Sequence, residues 1–294
     1  MSDPENPLYE TFRVLCQTLC TLWGVFSIIA HDLQQWRERW HQQHTGRAVS
    51  KIDLVAGYSL AISDITGEHD NGWRINFPAG GYAILGHTFD DDLDDILSRN
   101  GCWAVSQGYE RFETFLFDVT AAYLHSHPAQ ADKGLKDGFE NKGKNEGASD
   151  TSLVYWQRLV RHGYRSSDNA KILGFLRELA PALSEAETSN DRNVDLTEWY
   201  AAVSEVRHAA THADCVVKEA RLAGWPDDRQ RHMASWFPYE RDVGAKGMRL
   251  RLRKEHAEKA LERFAEYGYQ VLKRLSAACG YPCQLDGLRP TAGS

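Results

Sequence analysis

Apolar positions along this chain recur mostly at spacings of three and four, the period of a helix. Residues 8–44 read as one or two helices. An uncharged run at 14–30, VLCQTLCTLWGVFSIIA, leads into an amphipathic half with Trp36 and Trp40 among Gln, Arg and His. From Thr88 the pattern is helical again. In 103–125, Tyr109, Phe112, Leu116, Val119 and Tyr123 form one stripe. Helices follow at 151–163, at 168–187 with an interruption at Pro181, at 195–222 and at 255–278. The segment 195–222 is the best patterned. Leu196, Trp199, Tyr200, Val203, Val206, Ala210, Ala213 and Val217 make its apolar stripe, and Asp195 or Asn193 stands where a cap is needed.

Breakers mark what is not helical. Residues 51–63 are ambiguous, and Gly67, Asp70-Asn71-Gly72, Pro78 and Gly80-Gly81 bring turn chemistry. WRINF (73–77) and YAILG (82–86) alternate and carry β-branched or aromatic residues, which predicts a small hairpin. Residues 129–150, rich in Gly, Lys, Asp and Glu, predict a mobile loop, and 225–245 read as loop. KGMRLRLRK (246–254) alternates as an exposed strand, with Met248, Leu250 and Leu252 on one face and Arg249, Arg251 and Arg253 on the other. The expected fold is therefore mainly all-α with a minor β-hairpin. Residues 1–87 form a helical and irregular N-terminal extension of unknown role, 88–280 a helical domain, and 281–294 a tail.

Composition narrows the class. The chain has 294 residues, 42% hydrophobic and 26% charged, which is globular and excludes a wholly disordered chain, a collagen or a coiled-coil rod. Its net charge of −7 leaves no whole-protein basic footprint, so a surface for nucleic acid must be local. Six cysteines lack CxxC or zinc spacing, so no metal site and no cofactor is expected; reduced thiols and an acidic start predict a cytoplasmic protein. The uncharged run at 14–30 falls short of the roughly 20 apolar residues of a spanning helix and contains Gln17, Thr18, Thr21 and Ser27. It reads as a core or partner-facing helix, not a membrane segment.

Several charged clusters have plain structural readings. Asp90, Asp91, Asp92, Asp94 and Asp95 just after Thr88 suit a capped helix start, and the glycine and terminal glutamate of a calcium loop are missing. His125 and His127 suit a helix C-terminus. Lys246, Arg249, Arg251 and Arg253 with Lys254 suit either an RNA backbone or a charged edge strand that resists aggregation.

The chemistry worth testing lies in Glu205-Val206-Arg207-His208-Ala209-Ala210-Thr211-His212. At about 100° per residue, Arg207, His208, Thr211 and His212 lie off the apolar stripe of their helix. His208 and His212 are i,i+4 neighbours, as are Arg207 and Thr211. A guanidinium can grip a phosphate bidentately, and an imidazole titrates near neutrality and can move a proton. RNA carries its own nucleophile, the 2′-hydroxyl. Spacing alone does not single this pair out. Four other Arg and His pairs have four to six residues between them: Arg37–His44, Arg39–His44, Arg249–His256 and Arg251–His256. Arg207–His212 is distinguished by its place inside a long amphipathic helix, the polar residue after the Arg, and the strong helix upstream.

EVRHAATHAD resembles the signature of the HEPN superfamily, in which Arg is followed after four to six residues by His, often with Asn, Asp or His straight after the Arg. Arg207, His208 and His212 match those positions. The helix YERFETFLFDVTAAYL (109–124), with Glu110 and Glu113, looks like the first long helix of such domains. The resemblance spans about 88–278 and leaves 1–87 without a counterpart. It implies a helical bundle that pairs with a second copy into one composite cleft. It also implies metal-independent cleavage of RNA, in some members transfer RNA, to 2′,3′-cyclic phosphate and 5′-hydroxyl ends, in toxins or antiphage-defence effectors. Arg207, His212 and His208 would then be catalytic, RNA the substrate, and an antitoxin or sensor a further partner. In members silenced by adenylylation, a Tyr lies two residues after the His. Here that residue is Asp214, which puts such control in doubt. The second reading is a non-catalytic helical interaction or RNA-binding subunit. It expects Arg207 to be tied into a fixed salt bridge and the chain to be monomeric.

Overall fold

A computed structural model describes residues 6–46, 53–58, 61–62, 75–76, 82–131, 152–164, 170–242 and 244–283. Of the predicted loop at 129–150, the start belongs to a short 3-10 turn (Pro128–Gln130) and 132–150 lie outside these, as do the turn residues at 63–74 and 77–81 and residues 284–294 of the tail. Most described residues are helical, and the fold is mainly all-α as the periodicity predicts.

Helix α1 (Tyr9–His44) is one continuous helix. Helix α2 (Phe89–Ser126) joins the acidic start and the 103–125 stripe into a single rod, because no Pro interrupts it. Helices α3 (Leu153–Tyr164), α4 (Ala170–Leu179) and α5 (Ala182–Thr188) follow, with Pro181 between the last two. Helix α6 is Leu196–His212, α7 Glu219–Ala223, α8 Asp227–Trp236 and α9 Lys254–Cys279. The core lies where α2 meets α1, α6 and α9. Leu15, Phe112, Leu116, Trp199, Val203, Phe264 and Val271 belong to one buried cluster. Glycines set the closest approaches. A Cβ on Gly268 would meet Leu15 Cδ2 at 2.6 Å, and one on Gly108 would meet Leu261 Cδ2 at 2.8 Å.

Among the described residues, four strands lie between α1 and α2. Strand β1 (Leu54–Tyr58) pairs antiparallel with β4 (Tyr82–Leu85), and β2 (Ala61–Ile62) with β3 (Ile75–Asn76). The two segments expected to pair with each other as a hairpin are strands, but each finds a partner in 54–62 instead. The acidic start of α2 is used differently from a simple cap. Thr88 Oγ1 donates to Asp92 Oδ2 at 2.8 Å, and Asp90 and Asp94 hold Arg37 of α1. The boundary expected at 87/88 is not a break in the core. Leu15, Leu19 and Phe26 of α1 share the buried cluster of α2 and α9.

Helix α1 is long and apolar enough to cross a membrane by length and composition. Its packing is that of a bundle helix. Trp23 Nε1 and Ser27 Oγ donate to Glu258 Oε1 at 2.9 and 3.1 Å, and Arg37 is ion-paired to α2. The opposite face leaves Val14, Val25 and Ile28 exposed.

The segment 195–222 is shorter as a helix than its pattern predicts. Helix α6 ends at His212, and Asp214 and Cys215 turn left-handed (φ 50° and 61°). The chain then enters strand β5 (Val216–Lys218), where two β-branched valines suit a sheet. Residues 225–245 are likewise not all loop, since they hold α8 and strand β6 (Tyr239–Asp242). Strand β7 (Gly247–Leu250) sits in the middle, in the order β5-β7-β6, and is not an edge. Leu250 and the following Leu252 are buried as expected, while Met248, Arg249 and Arg251 are half-buried.

Ser98 of α2 pins this sheet to the bundle. Its buried Oγ donates to Leu250 O at 2.8 Å and accepts from Leu252 N at 2.9 Å. Ser98→Ala leaves both backbone groups unpaired in the interior. Stability is expected to fall by about 1–3 kcal/mol, read as a lower denaturant midpoint with an unchanged slope. An unchanged midpoint contradicts this role.

Candidate functional site

Helix α6 places the predicted residues. Asp195 caps it, its Oδ1 accepting from the backbone N of Thr197 and Glu198 at 2.9 and 3.0 Å. Leu196, Trp199, Val203 and Val206 bury one face. Arg207, His208, Thr211 and His212 are left toward solvent at the far end. The His208 and His212 rings lie 5.1 Å apart at 58°. Thr211 Oγ1 donates to Arg207 O at 2.9 Å, so its side chain folds back onto the helix. His212 is the last helical residue, so the pair closes α6 rather than lying in its interior.

Arg207 does not stand alone. Its Nε donates to Glu110 Oε1 of α2 at 2.6 Å, with both side chains about one-third exposed. An ion pair this wet adds at most about 1 kcal/mol to stability. Its consequence is positional: it holds the guanidinium over the seam between α6 and α2. The sequence placed Glu110 on a promising helix but gave no way to find this contact across 97 positions. It is also the tie that the non-catalytic reading expects.

The His208 imidazole is pushed below its ordinary pKa, chiefly by partial desolvation and then by the nearby Arg221 cation. Arg221 itself is held by Glu205 at 2.7 Å. His208 should therefore be the neutral ring at neutral pH. A ring-proton NMR titration is expected to give it a midpoint below that of a free imidazole, and Arg221→Ala is expected to move that midpoint up. A midpoint at or above the free value contradicts this. The sign for stability follows: the unfolded chain binds this proton more readily, so the contribution is lost as pH falls through the free imidazole pKa.

Past α6, Asp214 pairs with Arg99 of α2 and lies 3.5 Å from Arg249. Cys215 is buried beside Cys102 of α2. These contacts clamp the end of α6 against α2.

The basic stripe is drawn together but is not a row of free cations. Arg249 is bound to Asp242 at 2.7 Å, and Arg251 Nε bonds Glu240 Oε1 at 2.7 Å while its Nη1 reaches Asp95 at 2.7 Å. Their charge is spent within the fold, so they offer little to a phosphate chain. Lys246 sits in a left-handed turn (φ 49°) and Arg253 at the start of α9. The competing Arg37–His44 pair is also spent. Arg37 holds Asp90 and Asp94, and His44 stacks on Trp40 at 3.7 Å. At the end of α2, His127 Nδ1 approaches Tyr123 O at 3.2 Å, as a helix-end role predicts. Among the described residues, no three His, Cys, Asp or Glu side chains converge as they would around a metal.

No protein-family model matches the chain, and neither a curated protein nor a solved structure matches it.

Proposed function

We propose that the chain is an endoribonuclease of the HEPN type that needs no metal, acting as a toxin or antiphage-defence effector. The observation that carries this reading is the grouping of half-buried Arg207 and His208 with exposed His212 on the last two turns of α6. Two imidazoles for the protons lie side by side, and a cation for the phosphate stands on the same turns, all off the buried face of the helix.

In the proposed reaction the 2′-oxygen attacks the adjacent phosphorus and the bond to the 5′-oxygen breaks. His212 is the leading proton-transfer group. In the proposal His208 accepts the 2′-proton and His212 delivers a proton to the leaving 5′-oxygen. Arg207 steadies the charge that develops on the phosphoryl oxygens. The exposure of this face leaves room for the same face of a second copy, and a homodimer with one composite cleft is part of the proposal. An RNA is the substrate, and an antitoxin or sensor protein is the expected restraint.

A second reading is favoured by one observation. The Arg207–Glu110 pair is the fixed tie expected of a non-catalytic interaction subunit. The two readings part on activity. The full chain incubated with total RNA and transfer RNA is expected to give discrete fragments. RNA left intact by micromolar protein, together with a monomeric mass in solution, contradicts the nuclease and supports the interaction subunit.

A further inference from the structure

Trp103 stands out among the tryptophans. It is 48% exposed and falls on α2, the helix that carries Glu110. The other described tryptophans are buried or half-buried, and each has a partner. Trp23 bonds Glu258, Trp36 and Trp40 meet Phe89, and Trp156 meets Tyr155. Trp199 packs on Phe264, Trp225 lies under Arg229 and Trp236 stacks on His232. An indole offers a large flat apolar face with a polar N–H, which suits a site where a flat ring comes and goes.

Its position follows from two ion pairs. Arg99 on α2 meets Asp214, and Glu110 on α2 meets Arg207, so the two helices run antiparallel along this seam. At about 100° per residue, Arg99 and Trp103 both lie within about 20° of Glu110 on the α2 wheel. Trp103 is then about 6 Å along the axis from Arg99 and about 10 Å from Glu110, the partner of Arg207. Gln107, one turn further on, makes no hydrogen bond among the described residues. The exposed Arg111 follows it on α2. An aromatic face, a free amide and a guanidinium thus lie on α2 within a few turns of Glu110, which holds Arg207. Sequence-tolerant binding of single strands uses such a combination, with bases stacked on rings and cations along the backbone.

We propose that Trp103 is the platform on which a base of single-stranded RNA stacks when its neighbouring phosphate lies at Arg207. This rests on the ribonuclease reading of that site. The ligand class is a single strand, because a base paired in a duplex has no free face to offer.

The test is fluorescence anisotropy with a labelled 2′-O-methyl oligoribonucleotide, which lacks the free 2′-hydroxyl and cannot be cut. The full chain is compared with Trp103→Ala and Trp103→Phe. Loss of one stacked base is worth about 1–3 kcal/mol, or roughly 5- to 150-fold in affinity. Trp103→Ala is expected to weaken binding at least fivefold, and Trp103→Phe is expected to restore most of it. Equal binding by wild type and Trp103→Ala overturns the assignment, as does failure of the wild type to bind. A change of oligomeric mass in Trp103→Ala also overturns it, since the indole would then be covered by protein. Failure of the nuclease reading looks different: binding that depends on Trp103 with no cleavage of unmodified RNA. Cleavage with binding indifferent to Trp103 removes only this inference.

Discussion

His212→Ala is expected to lower the rate of RNA cleavage by about 10²- to 10⁴-fold, the usual contribution of a positioned acid or base. The same change should leave thermal unfolding where it was. His212 is exposed, closes its helix, lies beside the His208 ring, and makes no side-chain hydrogen bond or ion pair among the described residues. It therefore carries little packing that alanine could remove. Arg207→Ala is expected to cost a similar factor through lost stabilisation of the phosphoryl charge, about 10²- to 10³-fold. Glu110→Gln should cost less, because Glu110 acts only by holding Arg207 and a glutamine can still accept its hydrogen bond. That order distinguishes a working guanidinium from a merely structural ion pair. Wild-type cleavage by His212→Ala contradicts the assigned roles.

The second large effect is on stability. Phe112→Ala is expected to cost about 3–5 kcal/mol. Phe112 is fully buried on α2. Its ring lies 5.0 Å from Tyr267, 5.5 Å from Tyr200, 5.6 Å from Phe264 and 6.1 Å from Phe115. Those neighbours come from α2, α6 and α9, and none can collapse into the gap without moving its helix. In a chain of this size each kcal/mol lowers the melting temperature by about 2–4 °C, so the transition should fall by roughly 10 °C. A loss below 1 kcal/mol contradicts the place given to Phe112 at the centre of the core. Because Tyr200 and Arg207 share α6, the variant tests the scaffold that positions the site as well as the core itself.

The helical architecture was legible because apolar spacing reports which side of a helix is buried, and Asp195 declared its cap chemically. Pro181 declared the break between α4 and α5. The end of α6 was not legible. Ala213 and Val217 continue the apolar stripe in sequence, and only the left-handed turn at Asp214 and Cys215 shows that the valines join a sheet. Strand pairing was missed for a related reason. Alternation marks a strand but not its partner, and β4 chose β1 over its nearer neighbour. The polar face of α6 was legible as a face. What holds it was not, because Glu110 and Asp95 meet Arg207 and Arg251 across long stretches of chain. For the same reason a run of arginines looked like a free basic stripe when most of its charge is neutralised.

The most direct test of the proposed activity is the chemistry of the ends left by the full chain on a labelled single-stranded RNA in excess chelator. The account predicts a 2′,3′-cyclic phosphate on one fragment and a 5′-hydroxyl on the other, formed by wild type and not by His212→Ala. A 5′-phosphate product, or cleavage abolished by the chelator, contradicts it.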